Sequence, residues 1–221
     1  MGSGRTKTIG AAVVAALVLL TGCSGDGGDD GDGGAAPKGL SAAEVCGGFA
    51  REAPVAAALG AVVGGGRFED DLSKPDEALA GLRDAAAAPR ADTYRPQPVR
   101  YCGLRPAGGG AEGVAIEVTA VGKGPYLGPE LAPSVTSYRS GIEAFSSAGL
   151  AKLYFSCRLP APARAIVVQT SVRGPASVPD ADPEQPTRLI TLANAAARHV
   201  SAELGCAGDG LVKGVPAETK G

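Results

Sequence analysis

Apolar residues fall at helical spacing between Leu40 and Ala88, alternate with polar ones between Val99 and Val172, and return to helical spacing from Leu189 to Leu204. In the first stretch, Ser41-Ala-Ala-Glu44 has the form of a capping box ahead of Val45 and Phe49, which predicts a helix starting at Ser41. Pro54 interrupts that pattern and suits the first turn of a second helix carrying Leu59, Val62 and Val63, which stops at Gly64-Gly65-Gly66. Lys74-Pro75-Asp76-Glu77 opens a third helical stretch, with Leu79 and Leu82 on one side and alanines at its end.

Past Pro96 and Pro98 the segments Val99 to Arg105, Gly113 to Val121, Leu150 to Leu159 and Ala165 to Val172 have strand length and glycine or proline borders. Val114, Ile116, Val118 and Ala120 share one face while Glu117 and Thr119 share the other, the pattern of a half-buried antiparallel strand. Residues 122–149 are ambiguous: Gly124-Pro125 and Gly128-Pro129 read as loops, and Ile142 to Ala148 as either a short strand or a helical turn. Four prolines between Gly174 and Pro186 make a stiff connection to a last helix, Pro186 to Leu204, with Gly205 placed to cap it. The succession predicts one α+β domain over 41–207, a twisted antiparallel sheet of four to five strands with N- and C-terminal helices packed on one face. A disordered tail is expected over 208–221.

Composition makes this core unusual. The 221 residues are 44% hydrophobic but include no Trp, 4 Phe and 5 Tyr against 34 Gly, so small side chains dominate and covalent staples gain value. Besides Cys23 there are Cys46, Cys102, Cys157 and Cys206, an even set that reads as two disulfides. Each lies near the end or edge of an element. The favoured pairing, Cys46 with Cys102 and Cys157 with Cys206, ties each terminal helix to the sheet; the main competitor joins Cys46 to Cys206 and Cys102 to Cys157. The absence of any C-x-x-C leaves a thioredoxin motif or a zinc ribbon without support.

The amino terminus is a different object. Arg5 and Lys7 precede an apolar run from Ile9 to Leu20, whose twelve residues rise about 18 Å as a helix, short of the roughly 30 Å hydrocarbon core. Residues 1–22 therefore read as an export signal. Leu20-Thr21-Gly22-Cys23 resembles the lipobox of bacterial lipoproteins, and the resemblance implies a diacylglyceryl thioether on Cys23, palmitate-type acylation, and cleavage that leaves Cys23 first. Two acyl chains meet the requirement for stable anchoring. Residues 23–40, rich in glycine and containing Asp26, Asp29, Asp30 and Asp32, read as a flexible tether. As a calcium loop the aspartates lack the glutamate at loop position 12, where Ser41 stands.

Catalytic chemistry is sparse. His199 is the only histidine and no G-x-S-x-G elbow accompanies it, so it reads as a half-exposed helix residue. Gly108 to Gly113 matches G-x-G-x-x-G but precedes a strand instead of opening a helix, and reads as a hairpin loop. Glu69-Asp70-Asp71 reads as a solvated loop, and Glu117 stands alone among the strands. Arg90, Arg95, Arg100 and Arg105 recur every five residues with Tyr94 and Tyr101 between them. On a regular strand such residues face opposite sides, which favours a solvated basic rim over one patch for an anionic wall polymer or lipid headgroup. The net charge is -2, and residues 1–22 hold two positive charges and no negative one, so the remainder stands at -4 and has no general attraction for nucleic acid.

LTGC, the acidic glycine-rich tether, EVCGGF followed by RFED, LYFSC and a last helix ending AELGC together resemble actinobacterial lipoproteins that carry domains of unknown function. The resemblance implies a lipid-anchored protein on the extracytoplasmic face of the cell membrane. The sequence reading is a non-enzymatic binding or interaction module of the envelope, without cofactor or metal, whose partner is an envelope protein or small ligand. The alternatives are a small envelope hydrolase and a ligand-binding accessory to a transporter or sensor kinase.

Overall fold

The computed structural model describes residues 38–89, 96–109, 113–122, 127–176 and 182–219. The chain divides into two compact units, Met1–Ala36 and Pro37–Gly221. The export signal, Cys23 and most of the tether lie outside the described residues, as do Arg90, Tyr94, Arg95, and Gly110 to Glu112 of the glycine hairpin.

Among the described residues, the second unit is one antiparallel sheet with three α-helices. Its strands are β1 (Phe68–Glu69), β2 (Val99–Pro106), β3 (Val114–Val121), β4 (Thr136–Arg139), β5 (Glu143–Ser146), β6 (Leu150–Cys157), β7 (Ile166–Arg173) and β8 (Ala217–Glu218), and the helices are α1 (Ala53–Val63), α2 (Pro75–Ala87) and α3 (Gln185–Leu204). The strand order is β1-β2-β3-β7-β6-β5-β4-β8. The four long strands are the four that alternation predicts, and they occupy the middle of the sheet. The expected four to five strands become eight because β1, β4, β5 and β8 have two to four residues each, too short for alternation to show. The ambiguous Ile142 to Ala148 contains β5, paired with both β4 and β6.

All three helices pack on one face of the sheet. Val114, Ile116 and Val118 of β3, Ala151, Leu153 and Phe155 of β6, and Ile166, Val168 and Val172 of β7 point into that layer, against Leu189, Leu192, Ala193 and Ala196 of α3. Ala193, Ala195, Ala196 and Ala197 of α3 are buried among these larger residues, small side chains that allow close packing. Both disulfides join this layer at its ends: Cys46 to Cys102 and Cys157 to Cys206, with Cα separations of 5.6 and 4.7 Å. Among the described residues, the core and both disulfides lie within Pro37–Gly221, so this unit carries its own core and covalent staples.

Two local expectations need correction. The helix expected from Ser41 is a 3-10 turn, Val45–Gly48, broken by left-handed residues at Cys46 (φ 46°) and Gly47 (φ 76°). Half of the capping box forms, since the Ser41 backbone N–H donates to Glu44 Oε2 at 2.7 Å, but no helix continues from it. The chain instead bends so that Cys46 reaches β2. The tail expected to be disordered from residue 208 is docked: Asn194 of α3 donates from Nδ2 to the carbonyls of Val212 (2.9 Å) and Gly214 (3.0 Å), and β8 adds to β4. Leu211 packs against the core and Pro216 is buried, but these few apolar residues form no periodic pattern, so the docking does not show in the sequence.

His199 and Tyr101 brace the irregular turn. The Tyr101 hydroxyl lies 2.8 Å from His199 Nδ1 and 3.2 Å from the Cys46 carbonyl, and His199 Nε2 donates to the Gly47 carbonyl at 3.0 Å. Burial pushes the Tyr101 hydroxyl far above its usual range, so it stays protonated and able to donate. Replacing it, Tyr101→Phe, leaves buried acceptors unserved and is expected to cost about 1–3 kcal/mol in urea denaturation. Stability equal to that of the unmodified chain would contradict the bracing role.

Candidate functional site

Among the described residues no α-helix covers the other face of the sheet, and the cross-strand register lays out its residues. Arg100 of β2 is opposite Glu117 of β3, Glu117 opposite Ser171 of β7, Ser171 opposite Lys152 of β6, and Lys152 opposite Phe145 of β5. A second row runs Thr119, Gln169, Tyr154 and Glu143, and a third Gly103, Ala115 and Arg173. These are the positions that alternation assigned to the polar side.

A β-bulge between Arg100 and Cys102 changes the reading of the arginine series. Tyr101 and Cys102 both point into the helix layer, and the extra residue restores Arg100 to the open face together with Gly103 and Arg105. A Cβ placed on Gly103 would approach Arg100 Cδ to 3.1 Å and Leu72 Cβ to 3.0 Å, which puts both side chains over that glycine. Arg100 and Arg105 therefore share a face, contrary to the expectation from five-residue spacing. Two residues of the supposed solvated acidic loop are engaged as well: Arg105 pairs with Glu69 and Asp71, each at 2.8 Å. The guanidinium beside Glu69 holds its carboxyl below the usual range.

Gly103, Ala115, Leu72 and Arg100 line a shallow groove of about 230 Å³. With no side chain larger than a methyl on its floor, backbone is within reach of a ligand. On the second row the face is closed over. Thr119 donates to the Pro96 carbonyl at 3.2 Å, and Leu127 N–H donates to Glu143 Oε1 at 3.0 Å. Tyr154 is only 3% exposed there, and burial, with the neighbouring Glu143 charge, pushes its hydroxyl up to about 12. Glu143 Oε2 is buried with no partner.

The first row is different. Arg100, Glu117, Lys152 and Ser171, and Arg173 beside them, make no side-chain hydrogen bond or ion pair among the described residues. Elsewhere arginines are used internally: Arg164 donates to the carbonyls of Ala85 and Ala88, Arg188 pairs with Asp182 and Glu184, and Arg198 pairs with Glu52. Sequence reasoning singled out Arg100 but not Lys152, Ser171 or Arg173, because only the β3–β7–β6 pairing brings them together. His199 lies on the opposite side of the sheet, in the helix layer. Among the described residues no group of three His, Cys, Asp or Glu side chains is placed to hold a metal ion, and no helix is long and apolar enough to cross a membrane. No family model, curated protein or solved structure matches the chain.

Proposed function

We propose that the protein is a lipoprotein held by a lipid on Cys23 at the extracytoplasmic face of the cell membrane, acting as a non-enzymatic binding module through the open face of its sheet. The observation that carries this reading is the row of unpaired polar side chains from Arg100 to Lys152, set on a rigid sheet whose other face and both ends are fastened by helices and disulfides. Rigid placement lowers the cost of ordering side chains on binding. The disulfides fit the oxidising compartment that an export signal implies. The hydrolase alternative gains nothing from His199, whose two ring nitrogens face Tyr101 and Gly47.

A photo-crosslinking amino acid placed at Arg173, exposed beside the first row on the open face, is expected to capture an envelope component in intact cells, while the same group at Ala80, exposed on α2, captures little. Equal capture from both positions, or capture from Ala80 alone, would overturn the assignment of the face.

A further inference from the structure

We propose that the open face binds a carboxylate-bearing oligosaccharide laid across the strands along the row Arg100, Glu117, Ser171, Lys152 and Phe145. This rests on the binding-module reading and names its ligand class. Five adjacent strands contribute one residue each, so the row is about 19 Å long at a strand spacing of about 4.8 Å. That length suits an extended chain more than a compact molecule.

The order of charges narrows the ligand further. Arg100 and Lys152 are three strands apart, with an acid and a hydroxyl between them, and Arg173 lies two residues beyond Ser171 on the same face. A surface of closely spaced phosphates, such as an anionic bilayer, would press negative charge onto Glu117, and a run of acidic residues would do the same. An acidic glycan spaces its carboxylates and fills the intervals with hydroxyls, which can donate to the half-buried Glu117, while Ser171, buried between Glu117 and Lys152, adds no bulk in their way. Arginine suits the carboxylates because its guanidinium engages them through two parallel hydrogen bonds. At the far end, Phe145 is half-buried with its ring tilted against Tyr154 at 6.3 Å between centroids, which presents an apolar platform for the C–H face of a sugar. The floor of Gly103 and Ala115 keeps the approach beside Arg100 open.

The test uses residues 38–221 and titration calorimetry with four probes: a galacturonate hexamer, a neutral galactose hexamer, poly-aspartate, and vesicles containing anionic phospholipid. Saturable binding is expected for the galacturonate hexamer and not for the other three. Arg100→Ala and Lys152→Ala are each expected to weaken it about tenfold, the loss that follows from removing a hydrogen bond to a charged group. Lys213→Ala, in the docked tail, should bind as the unmodified domain does. Circular dichroism establishes that each variant is folded. No binding of the galacturonate hexamer, equal binding of the neutral hexamer, preference for poly-aspartate or vesicles, or full binding by the two variants would each overturn the inference. Capture from Arg173 in cells alongside any of these results would leave the binding-module reading standing and reject only the ligand class.

Discussion

Replacing all four paired cysteines by serine, or reducing the protein, is expected to leave the domain largely unfolded at 37 °C. The disulfides join residues 56 and 49 positions apart. Loops of that length correspond to about 4 kcal/mol each in chain-entropy terms, and native bridges typically contribute about 2–4 kcal/mol. Domains of this size are stable by only about 5–15 kcal/mol, so losing both removes much or all of the margin. The dependence is sharpened by the many alanines of the core, which bury little area each. Urea denaturation of the oxidised and reduced protein reads the effect directly. A denaturation midpoint unchanged by reduction would mean the helix layer holds without its staples. The two bridges should also differ locally, because Cys46 holds the left-handed turn against β2 whereas Cys157 and Cys206 close the far end, where α3 leaves the sheet.

Asn194→Ala is expected to release the carboxyl-terminal segment and to cost about 2–4 kcal/mol. Asn194 is 1% exposed and fully used: its Oδ1 accepts from Ser140 Oγ at 2.6 Å while its amide holds the carbonyls of Val212 and Gly214. Ser140 Oγ in turn accepts from Val212 N–H at 3.3 Å, so one side chain joins α3, the turn after β4 and the tail. Removing it strands the Ser140 hydroxyl in the interior and frees the tail to take its carbonyls to water. The penalty is therefore the desolvation of buried groups as well as the lost bonds. Hydrogen exchange gives the local readout, since Thr219 N–H donates to the Ser137 carbonyl beside β8. Thr219 should exchange faster in the variant by a larger factor than amides of β6. Unchanged protection at Thr219 would show that β8 pairing alone keeps the tail in place.

What the sequence made legible follows the length of each element. The four long strands and α3 carry seven or more residues of consistent periodicity, and the expected bounds differ from the observed ones by one or two residues. Gly205 closes α3 in the left-handed conformation assigned to it, at φ 69°. The favoured disulfide pairing, left open against one competitor, is the one the structure has, although only Cys157–Cys206 fastens a helix to the sheet: Cys46 lies in the broken turn and Cys102 in the middle of β2. By contrast, β1, β4, β5 and β8 owe their existence to the edges of the growing sheet, which offer unpaired N–H and C=O groups to any nearby extended chain. Nothing in two to four residues announces that. The turn at Cys46 carried a misleading signal, since Ser41 and Glu44 do form their contact, but Gly47 and the demand of the disulfide overrule continuation of the helix.

The candidate site was half legible. Alternation in β3 placed Glu117 and Thr119 on the polar side, and Arg100 stood out in the arginine series. The bulge that puts Arg100 and Arg105 on one face has no clear mark in VRYCGLRP, and the row itself exists only through pairing of β3 with β7, some fifty residues later in the chain. Lys152 and Ser171 look like ordinary surface residues until that pairing is known.

The central claim, that this domain works while held at the membrane by Cys23, has a direct measurement. Cells expressing the unmodified chain or Cys23→Ala are labelled with a palmitate analogue and separated into membrane and soluble fractions. The account predicts a labelled, membrane-bound protein for the unmodified chain, and an unlabelled protein for Cys23→Ala that carries no lipid and is depleted from the lipid-labelled membrane pool. An unmodified chain that takes up no label, with membrane association equal to that of Cys23→Ala, would contradict it.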